Sequence, residues 1–161
     1  MFLKKNVRAL KFIINLQHRC KYKMLQPDEL LKTYHLSHTH VRSEIIRILM
    51  DSALALSMAE IKERFRMGCD RVTLYRNLKT FTKKGIIHQI FIDNQDSKYV
   101  LPENIKKPEM EYTEHPHFKC VRCNSVRCLN ELSIGSLNLP QGFRKLETNF
   151  VVFGLCNECN N

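Results

Sequence analysis

Two pairs of cysteines at Cys-x2-Cys spacing, Cys120/Cys123 and Cys156/Cys159, constrain this chain more than anything else in it. A Cys-x2-Cys turn presents both sulfurs to one tetrahedral ion, and zinc favours four such soft ligands at about 2.3 Å. With 32 residues between the pairs, one ion would close a long loop and pin the C-terminal segment to the start of its domain. Two other readings stay open: a thioredoxin-like redox motif, whose usual βαβ surroundings are missing, and a pair of structural disulfides. His115 and His117 stand five and three residues before Cys120, beside the zinc turn but not needed by it.

The remaining cysteines are Cys20, Cys69 and Cys128, and no secretory signal precedes them. That usage suits metal-bound thiols in a reducing, cytoplasmic setting better than a secreted disulfide framework. No apolar run approaches the length of a membrane span. The net charge of +10 is unevenly placed. Residues 1–23 carry seven Lys/Arg and no acid, while residues 101–161 are neutral, with seven of each sign. Between Lys62 and Lys84 eight basic residues stand against Glu63 and Asp70, a patch that asks for an anionic partner.

Residues 1–23 read as a basic N-terminal extension, either loosely attached or a misassigned start, or as an arm adding phosphate contacts. From Pro27 the pattern is helical, with Leu30, Leu31 and Tyr34 on one face. A second helix is expected from about Thr39 to Asp51, with Val41, Ile45, Ile48 and Leu49 in period. Ser57-Met58-Ala59-Glu60 is a capping box for a third, continuing through Ile61 and Phe65. Asp70 can cap a fourth, running to Lys84 with Gly85 as its stop. After Gly85 the period becomes two: Ile86–Ile92 and Lys98–Leu101 read as a hairpin.

The expected fold class is α+β: a winged helix-turn-helix over residues 24–101, a polar linker at 102–114, and a small α/β domain at 115–161 carrying the four cysteines. Strands are expected near His117–Val121, Ser125–Leu129 and Phe143–Phe153. The fourth helix turns Leu74, Leu78 and Phe81 inward and presents Arg71, Tyr75, Arg76, Lys79, Lys83 and Lys84 outward. Such a basic face suits DNA, since Lys and Arg neutralise phosphates while tyrosine or threonine can touch base edges in the major groove. A plain solvated face is the alternative. The hairpin after this helix and the short turn before it favour DNA.

These residues resemble the ferric-uptake-regulator family of bacterial metalloregulators, with a zinc-uptake-regulator-like branch as one possibility. The resemblance rests on Arg71-Val72-Thr73-Leu74-Tyr75-Arg76-Asn77-Leu78, Gly85-Ile86-Ile87-His88, His115-Pro116-His117-Phe118-Lys119-Cys120 with Cys123, Pro140-Gln141-Gly142-Phe143, and Gly154-Leu155-Cys156 with Cys159. These stand in the family's order and cover roughly residues 30–160. The resemblance implies a homodimer in which Cys120, Cys123, Cys156 and Cys159 hold structural zinc. It also implies that Thr73, Tyr75 and Arg76 lie at the DNA, and Arg71 and Lys79 of the same basic face are candidate DNA-binding residues with them.

By position, His115 and His117 match two ligands of the family's sensor metal. A carboxylate expected five residues after the second thiol is Cys128 here. Three other ligand positions fall near Ala55, Val100 and Thr148, none of them a ligand. Two imidazoles and a thiolate favour zinc over iron(II) or manganese. A fourth ligand could come from Glu109, Glu111 or Glu114 in the linker, from water, or from His35, His38 or His40. Alternatively, the two histidines merely flank a strand and Cys128 is a small core residue.

The implied function is a dimeric, metal-responsive repressor of metal-uptake or homeostasis genes, bound to an inverted-repeat operator in double-stranded DNA. Its cofactors would be structural zinc and a second, regulatory divalent metal, Zn(II) or Fe(II). A peroxide or thiol sensor of the same fold, and a metal-independent DNA-binding protein with only structural zinc, are the alternatives. No nucleophile–base pairing or phosphate loop points to an enzyme, a small-molecule substrate or a membrane role.

Overall fold

The computed structural model describes residues 26–93, 96–102, 105, 115–132, 134–135, 137–146 and 148–160. The basic segment 1–23 and the linker glutamates Glu109, Glu111 and Glu114 lie outside the described residues.

Among the described residues four helices and one short strand come first. Helix α1 spans Pro27–Thr33, opening on a proline with Asp28 and Glu29 in its first turn, where the positive end of the helix dipole favours acids. Helix α2 spans His40–Met50, and the Thr39 hydroxyl accepts the Arg42 N–H at its N-terminus. Strand β1 is the short Leu56–Ser57, which leads into α3 at Met58–Glu63. The capping box at that junction is complete: Ser57 Oγ accepts the Glu60 N–H, and the Glu60 carboxylate accepts the Ser57 N–H. Helix α3 is two residues shorter than its apolar pattern suggests, because Phe65 reaches the core from the turn beyond it.

Helix α4 spans Arg71–Lys83. Asp70 caps it by accepting the Thr73 N–H at 2.8 Å. Its far end closes with Gly85 at φ +71°, a left-handed residue that only glycine adopts without strain. There Gly85 N–H reaches the Thr82 carbonyl and Ile86 N–H the Phe81 carbonyl, so two carbonyls of the last turn are satisfied. Leu74, Leu78 and Phe81 are fully buried against Leu30, Leu31, Ile45, Ile46, Leu49 and Ile61.

Strands β2 (His88–Asp93) and β3 (Asp96–Val100) form an antiparallel hairpin, and β1 pairs with β3 to give the order β1-β3-β2. Strand β2 starts two residues later than the alternation suggests, since Ile86 and Ile87 pack into the helical core. A second sheet has the order β5-β4-β6, with β4 at His117–Cys120, β5 at Val126–Cys128 and β6 at Val151–Gly154. The β4–β5 hairpin is antiparallel and β4–β6 parallel. The strand expected from Phe143 is confined to four residues. Among the described residues it pairs with β4 alone, and Pro140 to Phe143 form a turn with Gly142 at φ +88°.

The two sheets meet. Ala55 N–H donates to the Val126 carbonyl at 2.9 Å, and Asn149 Nδ2 donates to the Phe91 carbonyl at 2.7 Å. A second apolar cluster of Ala55, Ile90, Ile92, Val100 and Val126 fills the space between them, with Cys128 and Val151 at its margin.

Candidate functional site

Three constellations follow from this architecture. The first is the four-cysteine cluster. Strand β4 ends at Cys120, a turn carries Cys123, and β6 delivers Cys156 and Cys159 from alongside. The parallel register of Cys120 with Gly154 places the second pair beside the first. One donor atom from each of the four residues lies within 4.8 Å of the others, and Cys123 Sγ stands 3.8 Å from Cys156 Sγ. Zinc–sulfur bonds of about 2.3 Å require tetrahedral edges of about 3.8 Å, so the donors fit such an ion. Both turns are tied by backbone bonds, Asn124 N–H to Cys120 O and Cys159 N–H to Cys156 O, each 2.9 Å.

The thiols' acidities point the same way. Backbone N–H groups of Cys123 and Cys156 draw Cys120 down to about 6. Burial and the neighbouring sulfurs push Cys159 up to about 12. Four thiolates this close repel one another, and a bound cation is what lets all four ionise together.

The second constellation lies between the sheets. His117 and Cys128 stand opposite each other across β4 and β5, as the hairpin register requires. His115 precedes β4, and His88 opens β2 on the other sheet. The His88 ring lies 5.1 Å from that of His115 and 6.4 Å from that of His117; the latter two are 5.0 Å apart. One donor from each of His88, His115, His117 and Cys128 falls within 4.8 Å of the others. Among the described residues the fourth member is His88; the linker glutamates raised from sequence, Glu109, Glu111 and Glu114, lie outside them. Among the described residues His35, His38 and His40 take no part, and His38 pairs instead with Asp28 at 3.2 Å.

Of the positions where ligands were missing, Ala55 and Val100 are buried in the apolar cluster. Thr148 has a buried hydroxyl with no hydrogen-bond partner among the described residues. His88 carried one signal in the sequence: it shares the inward parity of β2 with buried Ile90 and Ile92, where an unneutralised polar side chain needs a reason.

Burial, reinforced by His115 and His117, lowers His88 to about 3. Burial and His115 likewise lower His117 to about 4, with the Phe150 carbonyl pulling weakly the other way. Both ring nitrogens of His117 are buried, and among the described residues neither finds a partner at hydrogen-bond geometry, the nearby Phe150 carbonyl included. Neutral imidazoles with open lone pairs are the metal-ready form.

This has a stability consequence. The folded values lie below the unfolded value of about 6.5, so the unfolded chain gains protons first as pH falls. With the four-cysteine ion retained and the histidine cluster stripped of metal, stability should decline as pH falls from about 6.5, through about 4 for His117 and about 3 for His88, and level off only below that. The slope is at most about 1.4 kcal/mol per pH unit for each histidine. Urea denaturation across that range checks it; a flat profile would show that these rings are solvated.

The third constellation is the outer face of α4. Arg71, Tyr75, Arg76 and Lys79 are exposed and Thr73 is half-buried. The helix is braced from behind, where Arg42 donates to Asn77 Oδ1 at 3.0 Å and to the Ser37 carbonyl at 2.7 Å. Asn77 in turn donates to the Thr73 carbonyl at 2.8 Å. Arg42 and Asn77 fix the angle at which α4 is presented; the sequence alone marked neither as a pair, because 35 residues separate them. Val72, 56 % exposed, is an apolar residue on this face.

Comparison with known proteins follows the same lines. A sequence profile described as "Ferric uptake regulator family" matches residues 34–141. No curated protein matches the chain. Among solved structures, the chain is similar to a zinc uptake regulator complexed with zinc and DNA, at TM-score 0.63 and 19% identity, covering 84% of this chain and 91% of that one. It is also similar to the Helicobacter pylori ferric uptake regulator, described as having three functional metal-binding sites, at TM-score 0.52 and 16% identity over 100% and 95% of the chains. The Vibrio cholerae ferric uptake regulator, described as showing structural rearrangement of the DNA-binding domains, gives 0.54 and 17% identity over 80% and 98%. At these identities the likeness is one of fold.

Proposed function

Because the chain belongs to the ferric uptake regulator family, we propose that it is a metal-responsive, DNA-binding transcriptional repressor acting on metal-uptake or homeostasis genes. In this reading residues 24–101 form a winged helix-turn-helix and residues 115–161 a dimerisation and metal-binding domain, joined by the segment 102–114. Two copies present their α4 helices to an inverted-repeat operator. The observation that carries the proposal is the His88, His115, His117 and Cys128 cluster, whose members come from both sheets. A ligand set that spans two bodies couples binding to their relative orientation, and that orientation decides whether two helices fit one operator.

Cys120, Cys123, Cys156 and Cys159 would hold structural zinc, and the mixed cluster a regulatory divalent ion. Three imidazoles and a thiolate, with no carboxylate among them, favour zinc over iron(II) or manganese. The ion supplies a cross-link between the two sheets; everything that touches DNA is supplied by the chain.

On α4, Arg76 and Lys79 would neutralise phosphates while Tyr75 and Thr73 approach base edges. Arg76→Ala should weaken binding to all duplexes and reduce the salt slope by about one. Tyr75→Ala should cost about 1–3 kcal/mol at particular base pairs and leave non-specific binding intact. Selecting bound duplexes from a random library, with zinc and with chelator, supplies the operator for these measurements. Recovery of no inverted repeat in either condition, or equal binding by wild type and both variants, would remove α4 from a DNA interface.

A further inference from the structure

The contact between the two sheets has two halves of different chemistry. One end holds the His88, His115, His117 and Cys128 donors. The other is dry: Ala55, Ile90 and Val126 are 2%, 0% and 0% exposed, and Ile92 and Val100 complete the cluster. The halves share strands. His88 and Ile90 sit two residues apart on β2, and Val126 and Cys128 two apart on β5, so within each strand donor and apolar residue point to the same face. His88 also stands opposite Val100 in the β2–β3 register. Two hydrogen bonds cross the same boundary, Ala55 N–H to Val126 O and Asn149 Nδ2 to Phe91 O.

We infer that this apolar half is a built-in latch that keeps the two sheets closed on each other without metal, so that Val126, Ile90 and Asn149 set how large the metal response can be. The inference rests on the proposed metal site but concerns a different part of the interface.

The argument is one of populations. A ligand shifts an equilibrium only by its differential affinity for the two states, and a closed state already favoured leaves little to shift. Non-directional burial of five apolar side chains favours closure whether or not the donors at the other end are bridged. Donors held in register before the ion arrives are also preorganised for it, which raises affinity and reduces dynamic range together. Loosening the latch should do the reverse. By reciprocity of coupling, the factor lost from the metal-free closed state must reappear as weaker metal binding.

The test uses the full chain with its four-cysteine ion retained. Wild type stripped at the histidine cluster should keep nearly the same small-angle scattering profile as the loaded protein, and bind operator within about tenfold of it. Val126→Ala should expand on stripping, lose about tenfold in metal-free operator affinity, and take up cobalt at the cluster about tenfold more weakly. Saturating metal should recover its operator binding. Asn149→Ala, at an exposed hydrogen bond that does not threaten the core, should move all three readouts in the same direction by less. Circular dichroism and four-cysteine metal content guard against misfolding.

The latch is refuted if stripped wild type expands as far as Val126→Ala, or if that variant keeps wild-type metal-free operator affinity and cobalt affinity. Failure of wild type and both variants to bind any second ion would instead overturn the reading of the metal site.

Discussion

Replacing Cys156 by serine is expected to release the ion from the four-cysteine cluster and to unfold the sheet built on β4, β5 and β6. The effect should be the largest of any single substitution. Among the described residues that sheet has three short strands, and β6 is held to it by four residues of pairing and by the two thiol pairs. A structural zinc site contributes roughly 10 kcal/mol or more to folding. Few apolar groups back it up: among the described residues of this sheet and the loops around it, the buried apolar and thiol side chains are Pro116, Val126, Cys120 and Cys156, while Val152, Phe153 and Leu155 are exposed. Metal content, size by sedimentation and far-ultraviolet dichroism should all change together, with one equivalent of ion per chain lost and the dimer dissociated. A Cys156→Ser protein that stays dimeric with full metal content would break the assignment.

The second large effect is expected at the mixed cluster. Exchanging His117 for alanine removes a donor that is 7% exposed and shares its space with two other imidazoles. Disturbing even the outer partners of a metal ligand costs about 10–100-fold in affinity, so losing the ligand itself should cost at least about a hundredfold. The variant should keep its four-cysteine ion, since Cys120 and its turn are fixed by other bonds. Its operator affinity should then be the same with zinc and with chelator. His88→Ala should behave alike although it lies 29 residues away in the chain, because the two rings converge on one point. A response to metal that survives in both variants would separate sensing from this cluster.

What could be read from the sequence divides along a physical line. Helix α4 was legible in full, since its cap, its stop and its Leu74, Leu78, Phe81 stripe are local properties of consecutive residues. The four cysteines were legible because a bidentate turn has a fixed spacing. The hairpin that places His117 opposite Cys128 followed from two short strands and the turn between the zinc thiols.

His88 did not declare itself as a ligand. A lone histidine in a strand has no partner at a telling interval, and its role depends on how two separate sheets pack. For the same reason Ala55 and Val100 looked like gaps in a metal site, whereas they form the dry half of an interface. By composition Phe143 and Leu146 suggest a longer β6; both are exposed, at 71% and 82%, and among the described residues neither has a strand to pair with.

The central claim is that an ion shared between the sheets sets DNA binding, and operator affinity measured on protein carrying one ion per chain and then two addresses it most directly. The one-ion form should be a folded dimer that binds operator, and filling the second cluster should raise affinity by up to about tenfold, with His117→Ala showing no such rise. Identical operator affinity for the one-ion and two-ion forms of the wild type would contradict the account, and would leave a DNA-binding protein whose zinc only holds its fold.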